Sequence, residues 1–263
     1  MFDAKNLLDQ FLGANAGNAP GAPSQSQQGA AGGPMGGLVN GLGGMLGNNL
    51  GGIGGGAVAG GLAALLLGSK GGRKVAGTAL QLGGMAVVGA LAYKAYQNWQ
   101  TGKSAAQSAT AASNPAGLLP PPADTPFAPT EADAQQSLGR HLLRAMIAAA
   151  KSDGHVDAAE QNAIFAEMDK LPLSADDKAF VMDELRKPLD IDAVARGART
   201  PEEAASIYTA SLLAIDVDNA SERGYLSMLA ARLNLDDVLV KHLHATVEGA
   251  TEPAPGKPTA LAG

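Results

Sequence analysis

Residues 148–160 read AAAKSDGHVDAAE, and the fold is decided by how they are parsed. The stretch ends an alanine-rich apolar run, turns at Asp153-Gly154 and restarts at Asp157, with Glu160 three residues further on. A capping side chain followed at that interval by an acid marks a helix start, because the two side chains satisfy amides left free in the first turn. Sliding the chain by 62 positions finds the pattern again. Asp157 then falls on Asn219, Glu160 on Glu222, Ile164 on Leu226, Leu171 on Leu233 and Leu173 on Leu235. Two copies of helix, acidic turn and helix can bury their apolar faces against each other with approximate two-fold symmetry.

Outward from this motif the helical signals continue. Leu138, Leu142, Met146 and Ala149 share one side of the preceding helix, with Ile147 and Ala150 beside them. Ser174-Ala-Asp-Asp177 and Asn234-Leu-Asp-Asp237 repeat the capping pattern. Thr200-Pro201-Glu202-Glu203 supplies a Thr cap, proline at the first helical position and acids in the first turn. Pro172 and Pro188 separate further segments. Residues 130–249 therefore read as six or seven short helices without a sheet, and 250–263 as a disordered tail. The fold class is all-α, with an internal pseudo-two-fold repeat.

Towards the amino terminus, 100–129 reads as an Ala/Pro-rich linker, stiffened by Pro120-Pro121-Pro122. Residues 51–99 contain two charge-free runs, Ile53 to Leu67 and Val75 to Tyr93, around the basic connector Gly68-Ser69-Lys70-Gly71-Gly72-Arg73-Lys74. The second run, about 19 residues, is long enough to cross a ~30 Å hydrocarbon layer as a helix. Glycines recur every four residues at Gly43, Gly47, Gly51 and Gly55, and at Gly52, Gly56 and Gly60. On a helix they form a small-residue face suited to close association in lipid, a route to homo-oligomers; a flexible Gly-rich tract is the alternative. Tyr93, Tyr96 and Trp99 with Lys94 fit an interfacial boundary. The expectation is a membrane-associated helical hairpin. Lys70, Arg73 and Lys74 would stay cytoplasmic, and a full crossing by Val75 to Tyr93 would place the following domain on the other side. The same follows for a two-helix hairpin, whereas a re-entrant or surface-lying pair would leave the domain cytoplasmic. Within residues 1–50, Phe2 to Leu12 form an amphipathic helix, either lying on a membrane surface or a weakly ordered terminus. Gly13 to Gly33 lacks the apolar content to order itself.

The chain of 263 residues carries a net charge of −6, which argues against nucleic acid as a partner. It has no cysteine, which excludes disulfides and thiolate metal sites. The opening Met1-Phe2-Asp3 does not begin a secretory signal.

The run Ala148 to Glu160 resembles the signature of the TerB-like superfamily (tellurite resistance). The second copy, Ala214-Ile-Asp-Val-Asp-Asn-Ala-Ser-Glu222 with Tyr225-Leu226 and Leu229-Ala230, is similar to that superfamily's second half. Leu65-Leu-Leu-Gly-Ser-Lys-Gly-Gly-Arg-Lys74 and Leu91-Ala-Tyr-Lys-Ala-Tyr-Gln-Asn-Trp99 resemble the YebE-like family, a proteobacterial domain of unknown function (533) usually described as inner-membrane. The resemblance implies an all-α fold, bacterial inner-membrane association and no established reaction. It also implies acidic metal sites, carried over to Asp153, Asp157 and Glu160 in the first copy and Asp216, Asp218 and Glu222 in the second. The second copy departs from the pattern with Asp218-Asn219 in place of an Asp-Gly turn.

Six carboxylates at one seam would suit a divalent, Ca²⁺-like cation, which takes six to eight oxygens. Against this, Asp157 with Glu160 and Asn219 with Glu222 are already explained as caps, and neither loop has EF-hand spacing. His141, His155, His242 and His244 show no zinc-like spacing, and His155 reads as a turn residue or a ligand. No Ser/His/Asp set, P-loop or dinucleotide fingerprint appears, so no enzyme is expected. Two function classes follow. One is a membrane-tethered interaction or sensing module in envelope or metal stress, docking an unidentified protein partner. The other is a soluble or peripheral metal-binding protein that self-associates through its Gly-rich segment.

Overall fold

The computed structural model describes residues 2–11, 83–112, 120–154, 162, 164–166, 168–169, 173–215 and 217–251. Its helices are α1 (Ala4–Phe11), α2 (Gly84–Gln100), α3 (Ala105–Ala112), α4 (Ala132–Ala150), α5 (Ala175–Arg186), α6 (Ile191–Ala195), α7 (Pro201–Ala214), α8 (Ala220–Arg232) and α9 (Asp237–Thr251). The chain is mostly helical, and no strand occurs among the described residues; an isolated bridge pairs Thr125 with Ala128. The all-α expectation holds.

Helix starts follow the capping chemistry. Ser174 and Asn219 each form a reciprocal box, with Asp177 and Glu222 respectively. Thr200 accepts from the Glu203 amide ahead of Pro201. Asn234 does something other than cap. It sits at φ 52°, while Asp236 Oδ1 accepts from the Val238 and Leu239 amides at the start of α9. Asn234 instead ends α8: its amide donates to Ala231 O, and the Leu235 amide donates to Ala230 O. This is a left-handed helix stop, a conformation Asn tolerates better than most residues.

The largest departure from the expected organisation is α2. Its 17 residues begin inside the run assigned to lipid, yet Val87, Val88, Leu91, Ala92 and Ala95 are buried in the protein core. The helix packs against α1, α3, α7 and α9. Among the described residues no helix is long and apolar enough to cross a membrane. Ile53 to Leu67, the basic connector and the recurring glycines lie outside the described residues, as do Gly13 to Gly33 and the tail from residue 252.

Val75 to Tyr93 is thus corrected from Gly84 onward. A Gly/Ala/Val helix finds a dry environment as readily among other helices as in lipid. Tyr93 and Tyr96 rest edge-on against Phe127, at 5.5 and 5.6 Å between ring centres, rather than marking an interface with lipid.

The linker and the amino terminus are packed as well. Helix α3 lies along α9, and the proline turn returns Phe127, 4% exposed, to the flank of α2. Residues 101–112 and 120–131, the described parts of the expected linker, lie against the bundle as a strap. Close approach requires glycine at two points. A methyl group on Gly89 would overlap the Phe127 carbonyl, and one on Gly249 would overlap the backbone of Ala109. Helix α1 buries Ala4, Leu7 and Leu8 completely against α4 and α2. Its ends are tied by Asp3 N to Asp177 Oδ1 (2.8 Å) and Gly84 N to Asp9 Oδ1 (2.6 Å). Neither membrane-surface placement nor a loose terminus describes it.

Candidate functional site

The acidic turns come together in part. Asp153 follows α4 and Asp218 precedes α8, both exposed, while Glu222 is 9% exposed at the first turn of α8. Burial raises the Glu222 pKa, and the charges of Asp218 and Asp153 push it the same way against two backbone hydrogen bonds. The charge of Asp153 therefore reaches Glu222. Yet Glu222 Oε2 is already engaged, accepting from the amides of Asp218 (3.2 Å) and Asn219 (3.5 Å). Among the described residues no group of three or more His, Asp or Glu is placed to hold a metal ion. Asp157, Glu160 and Asp216, and His155 with them, lie outside the described residues.

Three arrangements escaped the sequence reading. The first joins α2, α3 and α9. Asn98 Nδ2 donates to Ser108 Oγ (3.0 Å), leaving the Ser108 proton for His242 Nδ1 (2.8 Å). A serine bonded to a histidine is the geometry of an activated nucleophile. Here, however, Asn98, Ser108 and His242 are at most 2% exposed. No substrate reaches them, and the set acts as a clasp fastening the strap to α9. A buried polar chain of this kind specifies its packing because every member is satisfied.

Burial lowers the pKa of His242, of His244, which bonds the Tyr208 hydroxyl at 3.0 Å, and of His141 among Arg144, Arg199 and Arg140. All three stay neutral in the fold at pH values where free histidine gains a proton. Their stabilisation is complete above the unfolded value of about 6.5 and is lost as pH falls from there towards the folded values. Urea midpoints at constant ionic strength should be level above about pH 7 and should fall between about pH 6.5 and 5. A level profile through that window would contradict the buried neutral imidazoles.

The second arrangement is an apolar groove of about 390 Å³ between α7, α8 and α9. Leu226, Ala230, Leu235 and Val240 line it with the Tyr208–His244 pair, and Arg223 and Asp237 also border it. Val217 on its edge is 37% exposed.

The third is a basic cleft of about 360 Å³ between α4, α5 and α6. Glu184, near the end of α5, receives Arg144 through two bonds (3.0 and 3.2 Å) and Lys187 at 2.8 Å. Burial works to raise the Glu184 pKa, but the bonds and charges of Arg144 and Lys187 outweigh it, and the carboxyl is held below its ordinary value. Lys151, 9% exposed, donates from Nζ to the carbonyls of Glu184 (3.0 Å) and Lys187. Burial lowers its pKa. The one sequence signal was Lys151 itself, a cation set directly after the apolar run Ala145–Ala150.

The family described as "Protein of unknown function (DUF533)" matches residues 52–247. A protein of Yersinia enterocolitica, described as "Uncharacterized protein in ampR 5'region", is 34% identical over 96 residues, 36% of this chain and 69% of that one. No solved structure matches.

Proposed function

We propose, from the premise that this chain belongs to the DUF533 family, that it is a non-enzymatic interaction or sensing module associated with the bacterial inner membrane. Its helical bundle is read as TerB-like. One observation carries the membrane part: no charged residue occurs between Asp9 and Lys70, and the helices on either side, α1 and α2, are docked on each other. The docking of α1 on α2 supports a reading in which both helices lie on the same side of the membrane. With Lys70, Arg73 and Lys74 at the exit of the charge-free segment, the positive-inside tendency favours the cytoplasmic side. The groove between α7, α8 and α9 supports docking of a protein partner through apolar side chains.

Carbonate extraction of membranes from cells producing the full chain tests the reading. Retention in the pellet, with both α1 and the bundle shielded from protease added outside spheroplasts, is the expected result. Release into the supernatant defeats membrane insertion and leaves the peripheral, metal-binding alternative. That second reading has the chain self-associate through its Gly-rich segment and hold a Ca²⁺-like cation at the acidic turns, whereas a role in envelope or metal (tellurite-type) stress belongs to the membrane-tethered reading. A cation bound only by the native state must raise the melting temperature, so an unchanged melt of the full chain in millimolar Ca²⁺ removes it.

A further inference from the structure

The cleft between α4, α5 and α6 holds more positive than negative charge. Arg144, Lys151 and Lys187 line it, against Glu184 and Asp190. Asp190 is engaged elsewhere: its Oδ1 caps α6 at the Ala193 amide (2.8 Å), and its Oδ2 lies 3.7 Å from Arg196. Glu184 is shared between Arg144 and Lys187. Lys151 is the anomaly. An ammonium this buried is costly unless compensated, and its bonds go to two carbonyl dipoles at the end of α5. Those dipoles favour a cation but leave its charge whole. Surplus charge in a concave, low-dielectric cleft concentrates anions.

The cations also discriminate among anions. The guanidinium fork of Arg144, the group best shaped to read a planar carboxylate, is filled by Glu184 Oε1 and Oε2. The two ammonium groups are compact donors that suit the several oxygens of a phosphate: Lys151 Nζ spends two of its three hydrogens on carbonyls and Lys187 Nζ one on Glu184 Oε1, so each keeps a hydrogen to donate. The rest of the lining includes apolar side chains, Ile147, Ala148 and Val194, with Leu189 40% exposed. A cleft of this volume lies within the range that takes small molecules.

We propose that this cleft binds a phosphate ester, its phosphate held by Lys151 and Lys187 and its apolar stem lying against Ile147 and Val194. The site does not depend on the membrane reading, because a soluble phosphate monoester and the headgroup of an anionic lipid present the same chemistry to it.

Titration calorimetry of the full chain with phenyl phosphate, inorganic phosphate and phenylacetate tests the proposal. Phenyl phosphate binds most tightly of the three, since it alone offers both the dianion and the stem. Lys151→Met and Lys187→Gln each weaken it by roughly tenfold, as expected for a lost charge-assisted bond. Lys187 has a side chain 57% exposed, so its variant keeps the test decisive even if Lys151→Met does not fold, which circular dichroism reports. No binding of phenyl phosphate at millimolar concentration overturns the proposal; so does equal binding of phenylacetate, or undiminished binding by Lys187→Gln. Vesicles containing phosphatidic acid, whose headgroup is itself a phosphate monoester, identify the source: displacement of phenyl phosphate indicates a lipid headgroup, and failure to displace it a soluble ester.

Discussion

Truncating Leu91 to alanine is expected to destabilise the bundle by about 2–5 kcal/mol, the range for deleting a fully buried leucine side chain. Leu91 is 1% exposed, on a helix in contact with α7 and α9. The measurement is urea unfolding of the full chain in mild detergent, with Trp99 fluorescence as the probe. The same truncation on a lipid-facing helix would leave that midpoint nearly unchanged, because no protein contact would be lost. A shift below about 1 kcal/mol would therefore remove α2 from the core. It would also undo the same-side argument for the membrane segment, which needs α1 and α2 docked on one body.

The second large effect concerns the strap. Replacing Gly249 by leucine drives a side chain into the backbone of Ala109, which sits in a helix and cannot yield as a side-chain tip can. Overpacking costs about 1–3 kcal/mol when a core can adjust; here the cheaper response is for α3 to lift away from α9. Separation breaks the clasp of Ser108 with His242 and exposes both. The expected result is rapid proteolytic cutting within 101–131 in the variant, with the rest of the bundle intact. Equal protection of variant and parent would show that the contact between α3 and α9 is not as close as the geometry states.

How much of this was legible in the sequence varies by element. The starts of α5, α7 and α8 were written in local chemistry: Ser174, Thr200 and Asn219 cap amides three residues away, and such bonds need no tertiary partner. The second-copy leucines likewise announced their burial, with Leu226 2% exposed and Leu233 8%. Asn234 was misassigned because the same residue types favour a helix cap and a left-handed stop, and only the chain direction after α8 separates them. Of the candidate metal ligands, Asp153 and Asp218 act electrostatically on Glu222, and Glu222 is committed to the backbone. The basic cleft was out of reach. Its members, Arg144 with Lys151 and Glu184 with Lys187, come from the carboxyl-terminal halves of two helices, α4 and α5, that are far apart in sequence.

The sequence by itself determined that this chain is helical and where three of its helices begin, since those features are encoded by neighbours within one or two turns. Only the tertiary structure decided what Val75 to Tyr93 faces from Gly84 onward and that the proline segment is a strap. Only there do Lys151 and Glu184 share a cleft. The physical reason is that hydropathy measures the cost of contact with water and is silent about which dry surroundings replace it. The partner that fills the space beside Leu91, or the surface beside Gly249, is chosen by shape, and shape exists only once the helices have met.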